Sequence, residues 1–235
     1  PVLYHLFEFL GVDESVRMHV AVGTSLATIV PTAISSARSH HRRGGIDFDL
    51  LRSWGPWIFT GALLGAAVGS GIKGSALTGV FALVALAVAA NMAFRPEGSA
   101  IAGKLPGLAV RAPLAFSIGG LSVLMGIGGG TLSVPILSAF SYPIRRAVGT
   151  AAAIGLFIAL PGVAGFALAE ADATLLPPGT FGYVNLIGFA LIVPVTVVAA
   201  PVGARIAHAI DPSGLRRVFA LFLFLTSVKM LWRLF

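Results

Sequence analysis

The chain of 235 residues is 57% hydrophobic and only 11% charged, with a mean hydropathy of +0.93. A soluble domain carries roughly 25% charged residues, so this composition indicates an integral membrane protein. The net charge of +7 does not predict nucleic-acid binding, because the basic residues form short clusters between apolar runs. The absence of cysteine excludes disulfides and cysteine-based metal sites from this sequence.

The first ten residues, PVLYHLFEFL, are apolar but have neither a methionine nor a charged start. They therefore do not read as a signal peptide. We expect them to be the end of an element that begins upstream of residue 1.

Apolar runs long enough to span a bilayer as helices, at about 20 residues each, follow along the whole chain. They cover residues 18–37, 53–71, 75–94, 147–169, 183–209 and 214–234. We predict a single integral membrane domain over 1–235, in which residues 95–112 form a linker between two halves.

Basic residues predict the orientation, because cytoplasmic loops are enriched in Lys and Arg. Loop 38–52 contains four arginines and is predicted to be cytoplasmic, as are linker 95–112 and the pair Arg145 and Arg146. Loop 170–182 contains Glu170 and Asp172 without a basic residue, so we place it in the periplasm of a bacterial inner membrane.

A glycine cluster, GIGGG at 126–130, interrupts the apolar stretch 113–140. Both flanks of that stretch are predicted to be cytoplasmic, and it is too short for two full crossings. A re-entrant hairpin that turns at the glycines satisfies both conditions. The alternative is one long helix with small residues for close packing, which would place Arg145 and Arg146 outside.

The two halves of the chain resemble each other. Residues 61–83 align without gaps on 199–221, with ten of 23 positions identical, and the motif AVGT occurs at 21–24 and 147–150. A basic loop follows the first AVGT helix and an acidic loop the second, so the halves have opposite orientation. The predicted fold is an all-α membrane protein of two inverted repeats, 1–94 and 113–235. Each repeat is a glycine-rich re-entrant hairpin or broken helix plus three transmembrane helices, and the first hairpin lies mostly upstream of residue 1.

The motifs GIGGGTLSVPIL, AVGTSLATIVPTAISSARSHHRRGGID and RRAVGTAAAIGLFIALPGVAGF resemble those of the sulfite exporter TauE/SafE family. The resemblance extends over essentially the whole chain, except that a first glycine motif is missing. It implies a bacterial inner-membrane carrier that exports a small sulfur-containing anion such as sulfite, thiosulfate or an organosulfonate. The partners are then a small anionic substrate and the lipid bilayer, and the sequence leaves open whether the chain forms a homodimer.

An anion cradle at the repeat interface is the predicted site. The second half of the hairpin opens at the glycines, where a helix N-terminus offers free N–H donors and a partial positive charge. The AVGT motifs add hydroxyl groups. The residues are Gly128, Gly129, Gly130, Thr131, Thr24, Ser25 and Thr150; further candidates are His19, Arg146 and Lys229. The competing interpretation is close helix packing through small residues.

Enzymatic activity is not expected, because no Asp or Glu falls in the middle of a predicted span. The glycines lack the Lys-Ser/Thr ending of a phosphate-binding loop, and no spacing predicts a metal site or cofactor. The predicted function is secondary anion transport by alternating access between the halves. A passive anion channel and a membrane subunit that anchors partner proteins remain as alternatives.

Overall fold

A computed structural model of the chain describes residues 2–94, 102–209 and 212–232, and these residues are almost entirely helical. The helices are α1 (Val2–Phe9), α2 (Glu14–His41), α3 (Phe48–Gly71), α4 (Gly74–Phe94), α5 (Leu108–Leu124), α6 (Gly130–Ala139), α7 (Ile144–Ala167), α8 (Leu186–Ala209) and α9 (Pro212–Trp232). Two short strands, β1 (Thr180–Phe181) and β2 (Val184–Asn185), pair antiparallel with Thr180 opposite Asn185.

Three of the described helices are long and apolar enough to cross a membrane: Glu14–His41, Gly74–Phe94 and Arg145–Ala167. Each of the six predicted spans overlaps most of one helix of the structure; residues 233 and 234 of the last span lie outside the described residues. The chain is therefore a membrane protein built almost wholly of helices.

The bundle of helices has two ends, which we name by the charge of the loops at each end. The basic end holds the loop 42–47, with Arg42 and Arg43; the acidic end holds the segment 168–183, with Glu170 and Asp172. Helix α2 runs from the acidic to the basic end, whereas α3, α5 and α7 run in the opposite direction. This follows from contacts along the helices, such as Gly55 with Phe157 and Gly165 with Ala66 between α3 and α7.

Two boundaries differ from the sequence predictions. Helix α5 begins at Leu108, so the end of the predicted linker 95–112 is helical; residues 95–101 lie outside the described residues. Gly107 forms the N-cap there without a side-chain hydrogen bond. The β-hairpin at the edge of loop 170–182 was not predicted. Its strands are only two residues long, and Asn185 holds them by donating to the Pro178 carbonyl and the Thr180 hydroxyl oxygen.

Glycines allow α3 and α5 to pack backbone against backbone. A Cβ built on Gly119 would lie 2.8 Å from the Ile58 carbonyl carbon and closer still to its oxygen, and one on Gly61 would meet Phe116 in the same way. Small residues at such crossings let membrane helices approach closely, where dispersion and packing replace the hydrophobic effect.

We expect Gly119→Ala to separate α3 from α5 and lower the stability of the protein. Overpacking of this kind costs typically about 1–3 kcal/mol, which lowers the midpoint of thermal unfolding by several degrees. Gly71→Ala is the matched control, since nothing lies within 4 Å of a Cβ built there. Equal unfolding temperatures of the two variants in detergent would contradict the packing described here.

The glycine cluster breaks the helix, so the alternative of one long helix through 113–140 is wrong. Helix α5 ends at Leu124, α6 begins at Gly130, and Gly126 adopts a φ of +62°, which favours glycine. The chain reverses direction across this break. The Ser141 hydroxyl donates to the Ala102 carbonyl oxygen at 3.3 Å, so the segment returns to the end from which it started.

Candidate functional site

The glycine break is held between the two helices that carry the AVGT motifs. A Cβ built on Gly126 would lie 2.9 Å from the Cα of Val22 in α2. One on Gly129 would lie 2.9 Å from the Gly155 nitrogen in α7 and closer still to the Ala151 carbonyl oxygen. Neither position has room for a side chain, so glycine is required at both for the break to fit between α2 and α7.

The first residue of α6, Gly130, has free space around it, unlike Gly126 and Gly129. Its N-cap, Gly129, supplies no side-chain hydrogen bond, so the first N–H groups of the helix have no side-chain cap. Gly130 is exposed, and nothing lies within 4 Å of a Cβ built on it. Thr131 follows it in the first turn. The helix therefore begins facing open space.

That space is a cavity of about 310 Å³, which we name the basic-side cavity because it extends to the basic ends of α2 and α7. It is lined by Ile29, Thr32, Ala33, Ser36, His40, Gly128, Gly129, Gly130, Val134, Val148, Ala151, Ala152 and Gly155. Most of this wall is apolar, and its polar groups lie on α2 and at the glycine break.

The polar side chains of the cavity form a stripe along α2, composed of Thr32, Ser36 and His40. They are four residues apart and so lie on one face of the helix. The Thr32 hydroxyl also lies 3.2 Å from that of Thr196 in α8. Sequence reasoning missed this stripe, although the spacing of polar residues in an otherwise apolar helix is a signal that could have found it.

A second cavity, of about 190 Å³, lies on the other side of the break, and we name it the acidic-side cavity. It is lined by residues of α1, of the first half of α2, of α4 and α9, and by Met125 and Gly126, and it shares no lining residue with the first cavity. Ser25 lines this second cavity, and its hydroxyl donates to the Gly126 carbonyl oxygen at 2.6 Å. This hydrogen bond ties α2 to the glycine break, whose residues line both cavities.

The two AVGT threonines lie away from both cavities. Thr24 and Thr150 are fully buried, and neither lines a cavity. The Thr24 Oγ1 accepts a hydrogen bond from the Asn185 backbone N–H, and the Thr150 Oγ1 accepts one from the Asp47 N–H, each at 2.9 Å. The structure thus places Ser25 at the glycine break, whereas Thr24 and Thr150 lie at the starts of α8 and α3.

Arg146 belongs to a polar cluster around Asp47 at the basic end. The Tyr142 hydroxyl donates to one oxygen of Asp47, the Leu50 N–H donates to the other, and Arg146 lies 3.8 Å away. The Tyr142 hydrogen bond is the main reason that the pKa of Asp47 lies below its ordinary value. Burial and the same hydrogen bond raise the pKa of Tyr142. Sequence reasoning did not single out Asp47, Tyr142 or Asn185.

The remaining predicted residues do not line either cavity. His19 donates from Nε2 to the Ile72 carbonyl oxygen at 2.9 Å, and its ring stacks on Tyr183 with centroids 4.7 Å apart. Lys229 is exposed on α9. Within residues 2–94, 102–209 and 212–232, no group of three or more His, Asp or Glu side chains could hold a metal ion.

Comparison with known proteins gives one matching family and relatives that are named as membrane transporters. A model of the family described as Sulfite exporter TauE/SafE matches residues 1–230. A "Probable membrane transporter protein" of Haemophilus influenzae is 29% identical over 235 residues, covering 98% of this chain and 87% of the relative. "Probable membrane transporter protein MJ0441" of Methanocaldococcus jannaschii is 29% identical over 224 residues, covering 92% and 79%. No solved structure matches the chain.

Proposed function

The chain belongs to the sulfite exporter TauE/SafE family, and from that premise we propose that it exports a small sulfur-containing anion. The membrane is the bacterial inner membrane, and the mechanism is alternating access between two inverted halves. Sulfite, thiosulfate and organosulfonates are the substrates that we expect. The names of its relatives, all probable membrane transporters, support transport rather than catalysis.

The open start of α6 is the observation that carries the proposal. An uncapped helix N-terminus bears a partial positive charge and several free N–H donors, which together attract an oxyanion. Glycine at 128 and 130 leaves this backbone accessible from the basic-side cavity. Such a cradle binds an anion without burying a fixed cation, whose desolvation would be costly in a membrane.

The stripe of Thr32, Ser36 and His40 supplies a path from the basic end to this cradle. Exposed arginines at 38, 42 and 43 lie at the same end of α2 and raise the local concentration of anions there. The excess of basic residues at this end supports its placement in the cytoplasm. An anion then enters from the cytoplasm, which agrees with export.

Two cavities, each lined by part of the glycine break, support alternating access. Helix α2 forms a wall of both, and the Ser25 hydroxyl bonds to Gly126 in the wall of the acidic-side cavity. In the state described, the larger cavity lies on the basic side. Breaking the Ser25 bond and moving the glycine break relative to α2 would connect the cradle to the acidic-side cavity.

We expect a selective anion to stabilise the purified protein against heat. A ligand at 100 times its dissociation constant adds about 2.7 kcal/mol of stability, equivalent to roughly 5–10 °C for a chain of this size. Gly130→Val places a branched side chain over the cradle and should abolish the shift. Gly71→Val is the matched control, because nothing lies within 4 Å of a Cβ at either glycine. An equal shift in both variants would show that the anion binds elsewhere.

A further inference from the structure

Each AVGT threonine holds the first residues of a helix that belongs to the opposite half. Thr150, in the second half, accepts from the backbone N–H of Asp47, whose side chain caps α3 in the first half. Thr24, in the first half, accepts from the N–H of Asn185, whose side chain accepts from Gly188 N–H at the start of α8. The two hydrogen bonds have the same length and the same direction.

The glycine before each threonine makes a second matched contact. A Cβ built on Gly23 would lie 2.5 Å from the Tyr183 carbonyl oxygen, and one on Gly149 would press on the Gly45 carbonyl in the same manner. We name the contacts of Gly149 and Thr150 with Gly45 and Asp47 the basic-end joint. Those of Gly23 and Thr24 with Tyr183 and Asn185 form the acidic-end joint.

The two joints connect corresponding residues of the two halves at two spacings: Gly23 and Gly149, like Thr24 and Thr150, are 126 residues apart, which is the spacing of the AVGT motifs. Gly45 and Tyr183 are 138 residues apart, as are Asp47 and Asn185, and this is the spacing of the aligned segments 61–83 and 199–221. The side chains at these positions differ, but the backbone contacts agree. Each contact of one joint therefore has a counterpart in the other.

Other contacts of the AVGT helices lack this correspondence. The residue after Thr24 is Ser25, which bonds to Gly126, whereas the residue after Thr150 is Ala151, which has no hydroxyl group. In a transporter of inverted repeats, the two halves exchange conformations between the inward-open and outward-open states. If a contact in one half already matches its counterpart in the other half, exchanging the conformations of the halves leaves both contacts unchanged. A contact without such a counterpart has to change.

We propose that the two joints are fixed contacts that stay closed throughout the transport cycle, and that Thr24 and Thr150 are positioning residues rather than substrate ligands. The moving contact is then the Ser25 bond to Gly126. The inference rests on the proposed alternation of the two halves. It assigns the AVGT motif, which occurs once in each half, to holding the halves together.

Thiol labelling of the two cavities tests the inference without a substrate. The sequence has no cysteine, so Ala152→Cys reports on the basic-side cavity and Ala21→Cys on the acidic-side cavity. A mutation that affects both states equally shifts no population, so the ratio of the two labelling rates should change by less than about threefold in Thr24→Val and in Thr150→Val. A larger change in either variant would make its joint a moving gate and overturn the proposal.

Thermal unfolding and transport kinetics complete the test. Each valine leaves an N–H without its acceptor, buried at Asn185 and partly buried at Asp47, so the unfolding temperature should fall by about 2–4 °C or more and return in Thr24→Ser and Thr150→Ser. Where the parent transports an anion, Vmax should fall and KM should stay unchanged. A raised KM at unchanged stability would make the threonines substrate ligands and refute the joints.

If the valine variants fail to fold, two variants that exchange the side-chain types of positions 47 and 185 test whether the joints are fixed. Asp47→Asn and Asn185→Asp keep the backbone N–H of each joint, so both should preserve the labelling ratio. A ratio shifted by either variant would contradict fixed joints. If the parent transports no anion, the proposed function fails, whereas the labelling ratio and the unfolding temperatures still decide the role of the joints.

Discussion

Gly129→Ala is expected to destabilise the protein severely, whereas Gly130→Ala, one residue later, is expected to leave it folded. The alanine methyl at 129 would lie 2.9 Å from the Gly155 nitrogen and closer to the Ala151 oxygen, both of them backbone atoms of α7. Backbone cannot rotate away as a side chain does, so we place the cost at the upper end of the roughly 1–3 kcal/mol of overpacking, or above it. At 130 the methyl meets nothing within 4 Å.

The yield of monodisperse protein and its unfolding temperature in detergent measure this difference. The pair is well matched, because the two glycines are adjacent and receive the same methyl group. Variants of equal stability would mean that the glycine break is not held against α7. Anion binding should be tested in the Gly130 variants, because a loss in a Gly129 variant would also follow from misfolding.

The second large effect is expected for Asp47→Ala. This change removes the N-cap of α3, the acceptor of the Tyr142 hydroxyl and the partner of Arg146. We expect a loss of about 2–4 kcal/mol, mostly from the cap and from the half-buried hydroxyl left without an acceptor. The Arg146 pair adds little, because the Arg146 side chain is 60% exposed.

The same residue gives the protein a pH dependence of known sign. The pKa of Asp47 is lowered in the folded state, so its contribution is complete above the unfolded value of about 3.9 and is lost as the pH falls below it. The unfolding temperature of the parent should therefore drop between about pH 5 and pH 3 more steeply than that of Asp47→Asn. Tyr142→Phe removes the main cause of the lowered pKa and should give an intermediate slope. Parallel curves for the three proteins would contradict the Asp47 cluster.

The sequence predicted the helices and the break because both depend on local signals. Long apolar runs set the helices, and four glycines within 126–130 are enough to interrupt one. It did not predict the partners of the helix ends. Asp47 meets Thr150 across 103 residues of sequence and Asn185 meets Thr24 across 161, so only the packing of α2 and α7 brings them together.

One sequence signal for these residues was nevertheless present. The alignment of 61–83 with 199–221, extended toward the N-terminus without a gap, pairs Asp47 with Asn185. Both residue types are favoured helix N-caps. Capping residues in equivalent positions of the two halves predict two equivalent helix starts. In the structure, the threonine of each AVGT motif accepts a hydrogen bond from the backbone N–H of one of these capping residues.

The most direct test of the central claim is flux of sulfite, thiosulfate and an organosulfonate into liposomes that contain the purified full-length protein. The account predicts slow, saturable exchange of at least one of these anions, abolished by Gly130→Val and retained by Gly71→Val. Flux that does not saturate and carries a steady current would indicate a passive channel. No flux of any of the three, with folded protein in the membrane, would contradict anion transport through the glycine break.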